Sequence, residues 1–197
     1  QFRSRAASDI DGTPQHFFNG YFNINQEQIS DELRYSGKIG AVEVTTGLYY
    51  FAQDLAYAEQ RDLLGGARIL SGGGTQDQTT WGAFASADWH FSNTLTLNIG
   101  GRYSWERKAV RIAPLGANGC DVNTLRCATN FIDDESWKSF TPKLGLQWQP
   151  DNQTQIYGFY TRGFRSGGYN LRNTDPGVPP GPFDQETQDS FEIGAKK

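Results

Sequence analysis

The alternation of residue types between Thr94 and Glu106 constrains this chain more than any other feature. Leu95, Leu97, Ile99, Gly101, Tyr103 and Trp105 occupy one parity; Thr94, Thr96, Asn98, Gly100, Arg102, Ser104 and Glu106 occupy the other. A period of two sends the two sets to opposite faces of a β-strand. A strand of about a dozen residues is roughly twice the usual globular length. An apolar layer about 25 Å thick accounts for such a length, and a bilayer supplies one.

Seven further segments read as strands: 1–10, 24–36, 39–58, 78–91, 137–149, 153–169 and 187–197. In the second, Ile29, Leu33 and Tyr35 oppose Ser30, Glu32 and Arg34. In the third, Val42, Val44, Thr46, Leu48 and Tyr50 alternate with Glu43, Thr45, Gly47 and Tyr49. The segment 78–91 sets Trp81, Ala83, Ala85, Ala87, Trp89 and Phe91 against Gly82, Phe84, Ser86, Asp88 and His90. Phe140, Pro142, Leu144, Leu146 and Trp148 share one parity of 137–149, and Phe191, Ile193 and Ala195 point outward from the last segment. From Trp81 to Phe91 is 91 − 81 = 10 steps. At ~3.3 Å per step and a tilt near 40° that is roughly 25 Å along the membrane normal. Aromatic residues are also ordinary sheet residues, so the spacing supports a bilayer without requiring one.

The connections alternate in length. Asp11-Gly12-Thr13-Pro14, a stretch over 59–77 with Gly72-Gly73-Gly74, a cysteine-bearing loop over 112–136 and a Pro/Gly loop over 171–185 are long. Ser36-Gly37-Lys38, Ser92-Asn93 and Gln149-Pro150-Asp151-Asn152 are short, with strong turn chemistry. An up-and-down meander across an outer membrane has short turns on one side and long loops on the other. A soluble β-sandwich has no such reason to segregate its loops, and it stands as a less economical reading.

Composition fits the barrel. Hydrophobic residues make up 37% of the 197, with 14% aromatic and 23 glycines. The mean hydropathy is −0.62. A wall with lipid outside and water inside needs apolar residues only at alternate positions, so it reads as hydrophilic on average. No run approaches the roughly 18–20 apolar residues of a spanning helix. A net charge of −4 argues against a nucleic-acid partner. The absence of methionine and of a leader before Gln1 reads as an internal piece of a longer protein, with a trimmed domain as the alternative. Cys120 and Cys127 share one polar loop and would pair in an oxidising compartment; two free thiols are the other reading. His16 and His90 are remote in sequence from that loop, so no metal site is expected there.

The run Ile156-Tyr157-Gly158-Phe159-Tyr160-Thr161-Arg162-Gly163-Phe164-Arg165-Ser166-Gly167-Gly168-Tyr169-Asn170 resembles the barrel of TonB-dependent outer-membrane receptors. So do Ser139-Phe140-Thr141-Pro142-Lys143-Leu144-Gly145-Leu146 before it, and Phe183, Glu186, Thr187 and Ser190–Lys196 after it. Ser30-Asp31-Glu32-Leu33-Arg34, Gly47–Phe51 and Gly100-Gly101-Arg102-Tyr103 extend the resemblance to earlier strands. It implies an all-β, antiparallel up-and-down meander of about eight strands within a 22-stranded, plug-filled barrel. Residues 1–197 would then be a partial barrel domain, without the plug and the remaining strands.

The resemblance further implies TonB-dependent uptake of a scarce ligand, a ferric siderophore above all, across a Gram-negative outer membrane. The expected partners are outer-membrane lipid, TonB acting through the plug, and the ligand itself. A passive porin-like or adhesin-like barrel is the alternative.

No catalytic constellation, metal-ligand cluster or cofactor motif is evident, and the glycine triplet lacks the Gly-Lys-Ser/Thr ending of a phosphate loop. An enzyme is not expected. Asp133-Asp134-Glu135 read as solvated loop carboxylates. Arg165, Tyr169, Asn170 and Arg172 lie where the barrel would open outward, and they are the candidate ligand contacts, since an anionic chelate favours arginine and aromatic partners. Against that stands a structural reading: Arg162, Arg165 and the surrounding glycines pack on lumen carboxylates or the plug.

Overall fold

The structure is a computed structural model that describes residues 1–172 and 178–197. Of the Pro/Gly connection expected over 171–185, residues 173–177 lie outside the described residues. The strands, in chain order, are β1 Phe2–Asp9, β2 Phe18–Ile39, β3 Val42–Leu63, β4 Arg68–His90 and β5 Leu95–Gly116. They continue with β6 Cys120–Asp121, β7 Arg126–Cys127, β8 Phe131–Trp148, β9 Gln155–Arg165 and β10 Glu186–Lys196. All but β6 and β7 form one antiparallel sheet ordered β1-β2-β3-β4-β5-β8-β9-β10. Among the described residues it is a single wall, with no second layer against which to seal a dry interior.

The alternation sorts the side chains as expected. Leu33, Leu48, Ala83, Tyr103 and Phe140 lie in one cross-strand row, and its large members are all at least half exposed. Phe191 and Ile193 reach 78% and 89% exposure. Leaving such side chains in water forgoes ~1.5–3 kcal/mol each relative to burial. Their crowding onto one face therefore calls for hydrocarbon. The neighbouring row on the opposite face runs Arg34, Gly47, Phe84, Arg102 and Thr141. There the Arg102 guanidinium stacks 5.0 Å from the Tyr49 ring and 6.0 Å from that of Phe84. Gly82 leaves the slot, because a Cβ there would lie 2.4 Å from that guanidinium.

The strands are longer than the pattern indicates. The loop expected over 59–77 is strand apart from the turn Leu64–Ala67, where Leu64, Gly65 and Gly66 have positive φ. β3 has 22 residues; at ~3.3 Å each and a tilt near 40° such a strand spans roughly 55 Å along the normal, about twice an apolar band. The part beyond the band meets water on both faces, so backbone pairing continues while the apolar alternation stops. Gly72–Gly74 are not a turn; they sit in β4 at a register shift between Ser71 and Gly73. A Cβ on Gly73 would come within 2.1 Å of the Tyr57 carbonyl oxygen, so only glycine fits.

The loop expected over 112–136 likewise contracts, as β5 runs to Gly116 and β8 begins at Phe131. Asp133, Asp134 and Glu135 therefore lie on a strand, contrary to the loop expected. At the far end of 153–169 the strand stops at Arg165, and Ser166–Tyr169 turn away from the sheet.

Candidate functional site

Two small buried clusters lie on opposite faces of the projecting part. Both are built by connections folding back on the sheet. On the outward face the β6–β7 hairpin, closed by the Cys120–Cys127 disulfide, covers Ala58 and Ala113. Ser71 Oγ accepts the Cys120 N–H at 2.8 Å, and the Asn23 amide donates to the Val122 carbonyl at 2.9 Å. On the lumen face Tyr57, Val110, Ile112 and Trp137 pack with Tyr169 and Leu171, which arrive from the β9–β10 connection.

That connection is held by a run of polar contacts. Lys108 Nζ donates to the Gly167 carbonyl at 2.7 Å and to Ser166 Oγ at 3.0 Å, while pairing with Glu106 at 2.9 Å. The Ser166 hydroxyl donates to Glu106. Gly167 is pressed so closely that a Cβ would lie 2.2 Å from the Phe183 carbonyl oxygen and 2.3 Å from Trp137 Nε1. Tyr169 donates its hydroxyl to Asp133 Oδ2 at 3.1 Å and sets its ring against Trp137 in an edge contact. Burial first, then that carboxylate, push the Tyr169 phenol above its ordinary range.

Glu59 closes the arrangement. It is 1% exposed. It accepts from Tyr57 at 2.8 Å, from Arg61 at 3.0 Å and from Arg172 Nε at 2.9 Å. A buried carboxylate is tolerated only when so satisfied. The Arg172 guanidinium also lies 5.6 Å from the Phe22 ring and remains about half exposed on the lumen side. One carboxylate against two guanidiniums leaves a net positive charge at this point.

Three of the four candidate residues are therefore brought together, in unequal roles. Asn170 is exposed and its Oδ1 accepts the Arg172 backbone N–H at 3.0 Å. Arg172 presents charge, and Tyr169 is buried and committed to Asp133. Arg165 stands apart at the end of β9, with its side chain 75% exposed and Glu186 3.7 Å away. Arg162 departs from the lumen placement. It makes a two-pronged pair with Asp189 at 2.7 and 2.9 Å, in β9 two residues beyond Tyr160, which pairs with Leu144 and Phe191 on the outward parity.

Glu59, Glu106, Lys108 and Trp137 were not singled out in the sequence. Tyr57, Glu59 and Arg61 continue the parity of Tyr49, and that signal would have found them had the strand been carried through the polar stretch. Among the described residues no group of three or more His, Cys, Asp or Glu could hold a metal.

Comparison with known proteins accords with this geometry. The sequence profile described as TonB dependent receptor-like, beta-barrel matches residues 1–196. Among curated sequences none matches significantly. Among solved structures the chain is similar to the ferric yersiniabactin uptake receptor FyuA from Yersinia pestis, with a TM-score of 0.75 and 20% identity over 92% of this chain. It also resembles the alcaligin outer membrane receptor FauA from Bordetella pertussis (0.53, 17%, over 91%). A third is the ferric-catecholate import receptor Fiu from Escherichia coli K12 (0.56, 15%, over 90%). The chain spans 28%, 27% and 29% of the lengths of these three proteins. An open, lipid-sorted wall with a loop folded to its inner side is what a segment of a larger closed barrel should look like, and the chain belongs to the TonB-dependent receptor-like β-barrel family.

Proposed function

We propose that the protein to which this chain contributes barrel wall is a Gram-negative outer-membrane receptor that imports a ferric siderophore by TonB-dependent active transport. The observation that carries the reading is the Ser166–Arg172 segment, folded onto the water-facing side of a wall whose other side is made for hydrocarbon. A ligand entering the barrel passes this segment on the inner side of the wall. Arg172, half exposed beside Phe22, and Asn170 offer an anionic chelate a cation, a ring and an amide. Tyr169 serves by holding the segment to Asp133, and Arg165 contributes from the end of β9. Support comes from the family and from the ligands in the names of the three solved receptors. TonB would act through a plug encoded outside this chain. The role is transport and not catalysis.

The test is uptake of radiolabelled ferric siderophores by iron-starved cells lacking the gene and complemented with it. Uptake should return with the gene and stop when the proton-motive force is collapsed. Uptake that persists without that force would leave a passive barrel as the answer.

A further inference from the structure

The seam between β8 and β9 is closed along only part of its length. The two strands pair from Trp148↔Ile156 to Lys143↔Thr161. Beyond that both continue, β8 back to Phe131 and β9 on to Arg165. There β8 remains paired with β5, and β9 with β10. Each half of the wall therefore stays intact while the join between them opens. Continuing the lower register sets Arg162 opposite Pro142, Phe164 opposite Phe140 and Arg165 opposite Ser139. Pro142 has no N–H to give to a ladder, and the join parts at its level. Among the described residues no other strand pairs with the freed edge of β8.

The segment that follows β9 holds its end off that edge. Phe164 lies opposite Thr187, on the outward parity of Phe191, yet it packs against the lumen cluster that contains Trp137 and Tyr169. In the continued register Ser166 would fall opposite Lys138, which faces outward beside Trp105. Its hydroxyl donates instead to Glu106 on the lumen side. Lys108 clamps Ser166 and the Gly167 carbonyl while its ammonium sits 5.4 Å from the Trp137 ring. Gly168 and Phe183 exchange two backbone hydrogen bonds, at 3.2 and 2.8 Å, which close the fold-back. A residue cannot face both sides of a sheet at once, so these lumen contacts and pairing with β8 exclude each other. The opposing interactions are alike in kind. Four ladder positions, one of them a proline, stand against hydrogen bonds from Lys108, Ser166 and Tyr169. A modest change on either side therefore shifts the balance.

We propose that the end of β9 has two alternative seats: latched over the lumen face through Ser166–Tyr169, or zipped onto the upper edge of β8. The structure shows the latched seat. Zipping withdraws Ser166–Tyr169 from the lumen, and with them the support that sets Arg172 on Glu59. The seam thereby decides whether the candidate ligand contacts are presented. That consequence rests on the uptake reading; the two seats themselves do not.

The test uses the complete receptor in outer membranes, with introduced cysteine pairs and a mild oxidant. Ser139→Cys with Arg165→Cys reports the zipped seat, since opposed residues of a ladder lie within disulfide reach. Gln147→Cys with Tyr157→Cys, opposite each other in the closed part of the seam, is the reference. The upper pair should link to less than about a fifth of the reference yield. Gly167→Ala puts a Cβ against Trp137 and the Phe183 carbonyl, and Lys108→Met removes the clamp. Each should raise the upper yield about fivefold and leave the reference unchanged. The migration of unboiled samples on a gel checks that each variant is a folded barrel, and Lys108→Met carries the test if Gly167→Ala does not fold. The coupling is also read in reverse: once the upper pair is linked, hydrogen exchange over 166–172 should rise about tenfold while Lys143–Trp148 stay protected. Equal linking with and without the two latch substitutions overturns the proposal. A linked seam that leaves 166–172 protected overturns it too. A receptor that shows both shifts but carries no ferric siderophore refutes the uptake reading alone.

Discussion

The part of the sheet that crosses the bilayer and the part that projects beyond it are made of the same strands but are stabilised differently. In the crossing part the large apolar side chains stay exposed, and stability must come from the lipid around them. In the projecting part both faces meet water, and the protein supplies its own cover: Tyr169 and Leu171 over the lumen face, the disulfide hairpin over the outward face. Backbone pairing that runs past the apolar band from β2 to β5, with a register shift at Ser71–Gly73, shows that a strand does not need an apolar face to persist. What changes at the membrane surface is the solvent, and with it the residue types the ladder must carry.

Placing a charge in each part is the sharpest way to break this contrast. Leu48→Arg should cost ~2–4 kcal/mol of folding free energy in lipid vesicles, while Ala56→Arg on the same parity beyond the band should cost little. Denaturant titration of the complete receptor in vesicles measures both, and equal costs would remove the distinction. Removing Glu59 comes next. Glu59→Ala leaves Arg61 and Arg172 facing each other without their acceptor and should cost about 3 kcal/mol, in the range for a broken buried pair. Hydrogen exchange should rise over 166–172 while the crossing part stays protected. The exposed Arg165–Glu186 pair provides the control: Arg165→Ala should cost below about 0.5 kcal/mol.

Reduction of Cys120–Cys127 should follow, with a loss of about 2 kcal/mol or less for so short a ring. Faster exchange should be confined to the hairpin. The smallest effect is that of pH. The Tyr169 phenol is held above its ordinary range, so the native state keeps its proton longer than the unfolded chain. Its contribution is intact below the ordinary tyrosine pKa near 10 and declines as pH rises beyond it. Tyr169→Phe should flatten that alkaline decline in a thermal melt, and an unchanged slope would show that the phenol is not the group responsible. At the opposite end, Asp151 accepts the N–H groups of Gln153 and Thr154, which hold its carboxyl below the usual range. The turn should therefore loosen only as pH falls below the ordinary carboxylate value.

Much of the crossing part was legible because lipid imposes a rule on every second residue. Leu33, Leu48, Trp81, Tyr103 and Phe140 were assignable to one side by counting alone, and their rows confirm it. The tight turn Phe91–Thr94 contains the expected Ser92-Asn93. Ser36-Gly37-Lys38, expected as a turn, are instead paired strand opposite Thr45, Val44 and Glu43. The chain reverses at Gly40–Ala41, where Gly40 takes a positive φ. The projecting strands were not legible, because water on both faces removes the rule and leaves a polar strand looking like a loop. The candidate site shared this fate. Asn170, Tyr169 and Arg172 were within reach through their neighbours in sequence, whereas Glu59 lies 113 residues from Arg172 and Glu106 lies 60 residues from Ser166.

By itself the sequence determined that this chain is a meander of long, two-faced strands, since side-chain parity is a local property of the backbone. It also brought the two cysteines within reach of each other. Only the tertiary structure decided how far the strands run past the bilayer and which side each connection folds to. It alone set Arg172 on Glu59 and the hairpin over Ala58. Those outcomes depend on cross-strand register and on contacts between distant segments, and neither leaves a periodic mark in the residues that make them.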